Sequence, residues 1–225
     1  YEKMRHGGIV RDAAVLSAIG IGPDERRRVL RVSVALSEAE VHWPAFLESL
    51  QARGLRGVQY IVSDDHAGLR AARRAVFGGA TWQRCQFHLA QNAIHHAPNL
   101  AVRKRIGAEL REIWNAASLA KAETSLAELV TEYRDTAPKL AAWLEDNVPE
   151  GLTFFTLPKH HRRRMRTSNP MERSVQQELK RRTVKVRVFP NEAALERLVS
   201  AVLVEIDDKW AADTKAYIKW ECQDA

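Results

Sequence analysis

Three groups of residues have types and spacings that suit chemistry. The first is an acidic pair, Asp64-Asp65, directly after the nearly all-apolar run Val58-Gln59-Tyr60-Ile61-Val62. Such a run reads as a buried central strand. The carboxyl ends of strands in α/β sheets open into crevices where ligands bind. A carboxylate there suits a hard divalent cation such as Mg²⁺, which takes one or two carboxylates together with water and substrate phosphate. The same pattern also suits Asp64 or Asp65 as the side-chain cap of the following helix. The second is Glu172, behind Asn169-Pro170-Met171. With Asn169 at the N-cap and Pro170 at the first helical position, Glu172 falls at the third position, where a glutamate completes a capping box. A glutamate in a first turn is well fixed, so capping and catalysis are compatible. The third is Cys85-Gln86-Phe87-His88, which offers two zinc ligands. A structural zinc site needs four, and His95 and His96 are poorly spaced to complete one. A buried cysteine beside a hydrogen-bonded histidine is the competing description.

The basic residues are concentrated. The chain carries a formal charge of +7 and a pI near 9.6, a balance that points to an anionic partner. From Lys159 to Arg187 there are eleven Lys/Arg against two acids, a net of +9 that leaves the remainder slightly negative. Arg162, Arg163, Arg164, Arg166, Arg173, Lys180, Arg181 and Arg182 are the candidate DNA-binding residues. Flanking an ordered Asn-Pro helix start, they suit contacts to backbone phosphates, with strongly salt-dependent binding; a solvated loop is the alternative.

Composition narrows the class. Hydrophobic residues make up 45% and charged residues 28% of the 225, as in globular proteins rather than disordered ones. No apolar run approaches the roughly 20 residues needed to span a bilayer, and no signal-peptide core follows Tyr1-Glu2-Lys3-Met4-Arg5. Two cysteines, Cys85 and Cys222, are too few for a disulfide scaffold and fit a reducing cytoplasm.

The elements that must position these groups follow from periodicity. Ile9 to Ile21, the turn signal Gly22-Pro23-Asp24, and the run Arg27 to Leu36 read as a β-hairpin, with Tyr1 to Arg5 as the end of a further strand. Ser37-Glu38-Ala39-Glu40 has the form of a capping box for a helix through Trp43, Phe46, Leu47 and Leu50, closed by Gly54, with Pro44 tolerable only in its first turn. After the strand ending at Val62 comes a helix through Leu69, Ala72, Val76 and Phe77, a short strand over Trp82–Cys85 and a helix starting near His88. From Ala101 to Asn147 the pattern is helical throughout (Ile106, Leu110, Ile113; Leu126, Leu129, Tyr133; Leu140, Trp143, Leu144). The chain resumes with a helix start at Asn169-Pro170 and closes on a long helix through Leu195, Leu198, Val202, Ile206 and Trp210. The order β-β-β-α-β-α-β, a helical block, then helices predicts an α/β fold in which a mixed sheet is interrupted by an all-α insertion.

Five phrases together resemble the mutator-type transposases of bacterial insertion sequences: Tyr1-Glu2-Lys3-Met4-Arg5, Val62-Ser63-Asp64-Asp65-His66-Ala67-Gly68-Leu69, Trp82-Gln83-Arg84-Cys85-Gln86-Phe87-His88, Thr167-Ser168-Asn169-Pro170-Met171-Glu172-Arg173 and Phe189-Pro190-Asn191. They stand in family order and cover nearly the whole chain. The resemblance implies a ribonuclease-H-like mixed sheet, its first part at 1–98, an all-α insertion at 99–158 before the final catalytic helix, and the core's C-terminal helices at 159–225. It implies an Asp-Asp-Glu triad holding Mg²⁺ or Mn²⁺, with Asp64 as the second aspartate and Glu172 as the glutamate. Cys85 and His88 would form a Cys-x-x-His signature near the site without being ligands of the triad, and Asn169 would be structural beside it. The implied partners are DNA, as transposon ends and target, and further copies of the full-length chain, acting at the bacterial nucleoid in the cytoplasm with no membrane involvement. The family's first aspartate lies two or three residues before the Tyr-x-Lys-x-Arg segment, and the sequence begins at Tyr1; Asp12 and Asp24 fall beyond that strand, in the hairpin. The expectation is therefore a truncated catalytic region with little or no transposition activity alone. The rivals are a non-enzymatic DNA-binding remnant and a plain metal-dependent nuclease.

Overall fold

The computed structural model describes residues 1–36 and 42–221, so the capping box at Ser37–Glu40 and Cys222 lie outside the described residues. The chain divides into two compact units: Tyr1–Val58, His66–Gly79 and Pro170–Ala225 form one, Gln59–Asp65 and Ala80–Asn169 the other. Where a single mixed sheet is predicted, the described strands hydrogen-bond as two sheets, a three-stranded one in order β1-β2-β3 and a two-stranded one, β4-β5.

In the first unit, β1 (Glu2–His6), β2 (Ile9–Ile21) and β3 (Arg27–Ala35) pair antiparallel. Successive strand residues face opposite ways, and both faces of this sheet are used. Met4, Ala13 and Val34 pack with Val175 and Leu179 of α8 (Asn169–Thr183) and with Leu195, Val199, Val202 and Ile206 of α9 (Glu192–Ala212). Ala14 and Leu16 pack instead with Phe46, Leu47 and Leu50 of α1 (His42–Ala52) and Ala72 of α2 (Ala67–Val76). A bulge makes this possible along the whole of β3. Ala18 pairs with Arg31 and Ile19 with Val29, so Leu30 is the extra residue. A bulge changes which positions face each side: Val29, Val32 and Val34 all join the α8/α9 side, and Leu30 turns to the other. Gly54, with φ of +99°, closes α1 in a conformation that glycine adopts without steric cost, and Pro44 is the third residue of that helix, within its first turn.

Two of the motif phrases meet here. Phe189 N–H donates to the Lys3 carbonyl (2.8 Å), and Arg5 N–H donates to the Phe189 carbonyl (2.9 Å). The Tyr-x-Lys-x-Arg strand thus receives the residue before Pro190 on its outer edge, and the Asn191 side chain accepts from Ala194 N–H (2.9 Å) as the N-cap of α9.

In the second unit, β4 (Tyr60–Ser63) and β5 (Thr81–Arg84) pair parallel, with Tyr60 opposite Thr81 and Ser63 opposite Arg84. Both strands sit one or two residues from their predicted places. The rest is helical: α3 (Gln86–His96), α4 (Leu100–Trp114), α5 (Leu119–Arg134) and α6 (Pro138–Asn147), two 3₁₀ turns at Val148–Gly151 and Thr153–Thr156, and α7 (Lys159–Met165). The predicted apolar series is the core of this unit. Ile106, Leu110, Ile113, Leu126, Leu129, Tyr133, Leu140 and Leu144 are all buried, joined by Leu89, Val148 and Phe154. Asn99 and Ser118 cap α4 and α5 through their side chains. Among the described residues no helix is long and apolar enough to cross a membrane.

Replacing the α9 cap, Asn191→Ala, should cost about 1 kcal/mol of stability in urea denaturation, and Asn191→Asp should retain most of it.

Candidate functional site

Parts of three further motif phrases, Val62–Asp65, Trp82–His88 and Thr167–Asn169, converge within the second unit. The parallel register places the end of β4 against the end of β5, and the ladder continues one step beyond the strands, where Cys85 N–H donates to the Ser63 carbonyl (2.7 Å). Asp64 is therefore the first residue past the strand end, and its side chain is exposed. Asp65 N–H donates to Asp64 Oδ1 (2.7 Å), a local bond that orients the carboxylate. The N-cap of α2 is His66, so neither aspartate occupies the capping position that the sequence left open to them.

Strand β5 supplies the support. Trp82 and Arg84 are two residues apart and so share a face. The Trp82 indole N–H donates to Ser63 Oγ (2.9 Å), and Ser63 Oγ donates to the Asp64 carbonyl (2.9 Å). Arg84, 3% exposed, reaches Asp65 Oδ2 (3.2 Å), Glu150 Oε2 (3.1 Å) and Asn147 Oδ1 (2.8 Å) through Nη1. Gln83, between them, faces the other way: its Oε1 accepts from Phe154 N–H (2.7 Å) and its amide is fully buried. Nothing in the local sequence marks Trp82 or Arg84 as a site residue. A lone arginine in a short strand looks like a surface residue, although arginine is hardly ever fully buried unless paired; its pairing partners, Asn147 and Glu150, lie more than sixty positions away.

Cys85 and His88 sit on the first turn of α3, the cysteine fully buried at its N-cap. Its sulfur lies 3.2 Å from Thr167 Oγ1, and Asn169 N–H donates to that same oxygen (3.2 Å). Gln86 N–H donates to the Arg166 carbonyl (3.1 Å). The Thr-Ser-Asn phrase is thus pinned to the Cys-x-x-His phrase at the point where α8 begins. Burial pushes the Cys85 thiol up, but hydrogen bonds from His88, Ser168 and Thr167 outweigh it and bring it from an ordinary 9.0 to about 6. The local donors thus favour the thiolate form over the thiol. Glu172 lies in the first turn of α8, half-buried.

The candidate DNA-binding residues divide by environment. Arg162 is half-buried, donating from Nε to the Leu157 carbonyl (2.9 Å) and from Nη2 to the Phe155 carbonyl (2.8 Å) while lying over the Phe155 ring. Arg166 donates to Asn115 Oδ1 (2.9 Å), and burial, then the charge of Arg163, lower its pKa. These two guanidinium groups join elements of the second unit. Arg163 and Arg164 on α7 are exposed, as are Arg173, Lys180 and Arg181 on α8, with Arg182 half-buried. Arg181 pairs with Glu178 and Arg182 with Glu205; pairs this exposed contribute little to stability.

In metal-free protein the Cys85-dependent part of the ultraviolet thiolate absorbance should titrate with a midpoint near 6. An acid whose folded pKa is lowered stabilises the fold above its unfolded value and loses that contribution as pH falls through the folded value. Stability should therefore decline on acidification from about 9 to 6, the interval set by the thiol, and Cys85→Ser should lack that decline.

The sequence matches the model of the mutator family of transposases over residues 1–213. It is 50% identical to the transposase for insertion sequence element IS406 of Burkholderia multivorans, over 98% of this chain and 56% of that protein. It is 41% identical to the ISRM5 transposase of Rhizobium meliloti, over 93% of this chain and 52% of the relative. With the transposase of IS256 in transposon Tn4001 from Staphylococcus aureus the identity is 30%, over 98% and 56%. The chain spans about half the length of these curated relatives. A match that extends over almost every residue, including all five motif phrases, makes this chain a member of the mutator family of transposases.

Proposed function

We propose that this chain is the catalytic region of a DNA transposase that mobilises an insertion sequence by metal-dependent cleavage and strand transfer. The observation that carries the reading is the exposed carboxylate of Asp64, one residue past the end of a parallel strand in a turn fixed from both sides. In this reading the fold is ribonuclease-H-like, with its core at 1–98 and 159–225 and an all-α insertion at 99–158. By the family resemblance Asp64 and Glu172 would hold Mg²⁺ or Mn²⁺, together with a third carboxylate of the triad. Oxygen donors of this kind match what a hard divalent cation requires, and the described contacts of Asp64 engage only Oδ1 of its carboxylate. Bound there, the metal would polarise a phosphodiester and activate the attacking water or 3′-hydroxyl.

The chain's own residues bind and orient. Arg163, Arg164, Arg173, Lys180, Arg181 and Arg182 offer cations to DNA backbone phosphates, which sets position on the duplex without reading sequence. Arg162 and Arg166 instead hold α7 within the second unit through their backbone and asparagine contacts. Cys85, hydrogen-bonded with His88, holds the Thr167–Ser168 segment just before α8, and neither residue is a ligand of the triad in this reading. The partners are transposon ends and target DNA at the bacterial nucleoid, with further copies of the full-length chain.

A polypeptide of these 225 residues should bind Mn²⁺ at least about tenfold more weakly than a form extended upstream to supply the third acid, and Glu172→Gln should weaken both. Calorimetry reads the difference. Metal binding by neither form, with DNA present, would favour the non-enzymatic DNA-binding remnant; cutting without joining of ends would identify a plain nuclease.

Arg163→Ala and Lys180→Ala should each lower the slope of log affinity against log salt by about 1 on any DNA sequence. Arg162→Ala should instead lower the thermal midpoint and leave the slope of the folded protein nearly unchanged.

A further inference from the structure

Arg84 is a buried cation whose burial serves no pairing within its own strand. It sits at the last register position of β5 and bridges two parts of the second unit, the Ser63–Asp65 turn on one side and the Asn147/Glu150 segment on the other. Burying a guanidinium is costly unless it is paired, and removing one partner leaves an uncompensated charge. A hydrophobic residue would hold β5 in the core at least as well, so the arrangement calls for a reason beyond stability. The geometry of the turn supplies one. Asp65 takes the arginine through Oδ2 (3.2 Å), and its N–H holds Asp64 Oδ1 (2.7 Å). On the same face of β5 the Trp82 indole holds Ser63 Oγ, which in turn holds the Asp64 carbonyl. Two side chains of one face of β5, Trp82 and Arg84, thus reach the residues on either side of Asp64.

We infer that Arg84 is a positioning residue: by anchoring Asp65 it fixes the Ser63–Asp65 turn and presents the Asp64 carboxylate for metal binding. Asp65 is thereby the anchor of the turn, and its carboxylate is occupied by the arginine and not by metal. The inference rests on the assignment of Asp64 as a metal ligand. An adjacent pair of carboxylates has two possible divisions of labour, and Arg84 selects between them by neutralising one.

The test is residue-resolved Mn²⁺ broadening of the amide resonances of residues 63–65 in the 225-residue chain, with thermal midpoints measured in parallel, for Asp64→Asn, Asp65→Asn, Arg84→Lys and Glu150→Gln. Arg84→Lys retains the charge and loses the fork, so it is the variant that is expected to fold. The expected result has several parts. Asp64→Asn abolishes the broadening. Arg84→Lys and Asp65→Asn weaken Mn²⁺ affinity about tenfold, the size of effect usual for groups that orient a metal ligand, and speed hydrogen exchange at the Asp65 amide. Glu150→Gln, which breaks only the far side of the bridge, lowers the thermal midpoint but leaves Mn²⁺ affinity near that of the parent. Tighter Mn²⁺ binding in Arg84→Lys would overturn the inference, because it would make Asp65 a ligand that the arginine holds back. Equal loss of midpoint with unchanged Mn²⁺ affinity in Asp65→Asn and Glu150→Gln would overturn it too, leaving Arg84 a purely structural residue while Asp64 remains the ligand. If Asp64→Asn leaves the broadening intact, the catalytic reading itself fails, and that arm alone identifies this case.

Discussion

Ser63 and Arg84 oppose each other at the last step of a two-stranded parallel ladder, and Cys85 N–H extends that ladder by one bond to the Ser63 carbonyl. The candidate site depends on this register. A shift by one residue would turn Trp82 and Arg84 toward the face now taken by Gln83, parting the indole from Ser63 and the guanidinium from Asp65. Gln83 resists such a shift, because its buried amide already accepts from Phe154 N–H and donates to the Arg84 carbonyl. A strand of four residues is thus held by a charged network on one face and an amide on the other. Buried polar groups of this kind tolerate few alternative arrangements, since an unmade bond in the interior costs more than a made one contributes.

The basic segment shows how one composition serves two purposes. In α7 the arginines are consecutive, and consecutive positions on a helix point in different directions, about 100° apart. Arg162 turns inward to the Leu157 and Phe155 carbonyls while Arg163 and Arg164 turn outward. On α8 the buried residues Val175, Leu179 and Thr183 follow helical spacing, which leaves Arg173, Lys180 and Arg181 on the opposite side. Charge counting finds the segment, and helical geometry divides it into half-buried supports and exposed cations.

Most of the architecture was legible in the pattern of apolar residues. The order of strands and helices, the core series from Ile106 to Leu144 and the long helix through Trp210 all follow from periodicity, because burial of one face is what stabilises each element. The five phrases also identified the family. Their separate physical tasks were not legible. The Tyr-x-Lys-x-Arg and Phe-Pro-Asn phrases turn out to share a strand edge and a helix cap, whereas the Asp-Asp, Cys-x-x-His and Thr-Ser-Asn phrases share one network of hydrogen bonds.

The sequence by itself determined where the acids and cations lie along the chain, the elements that carry them and the kinship those phrases express. These are properties of short windows, set by side-chain periodicity, helix-terminus residues and local charge. Only the tertiary structure decided that the expected mixed sheet is hydrogen-bonded as two, that Leu30 bulges, that Arg162 and Arg166 face inward, and that Arg84 is buried against Asp65, Asn147 and Glu150. The reason is common to all four. Each depends on which distant residue satisfies a backbone or charged group, and such partners are brought together by packing and not by any spacing along the chain.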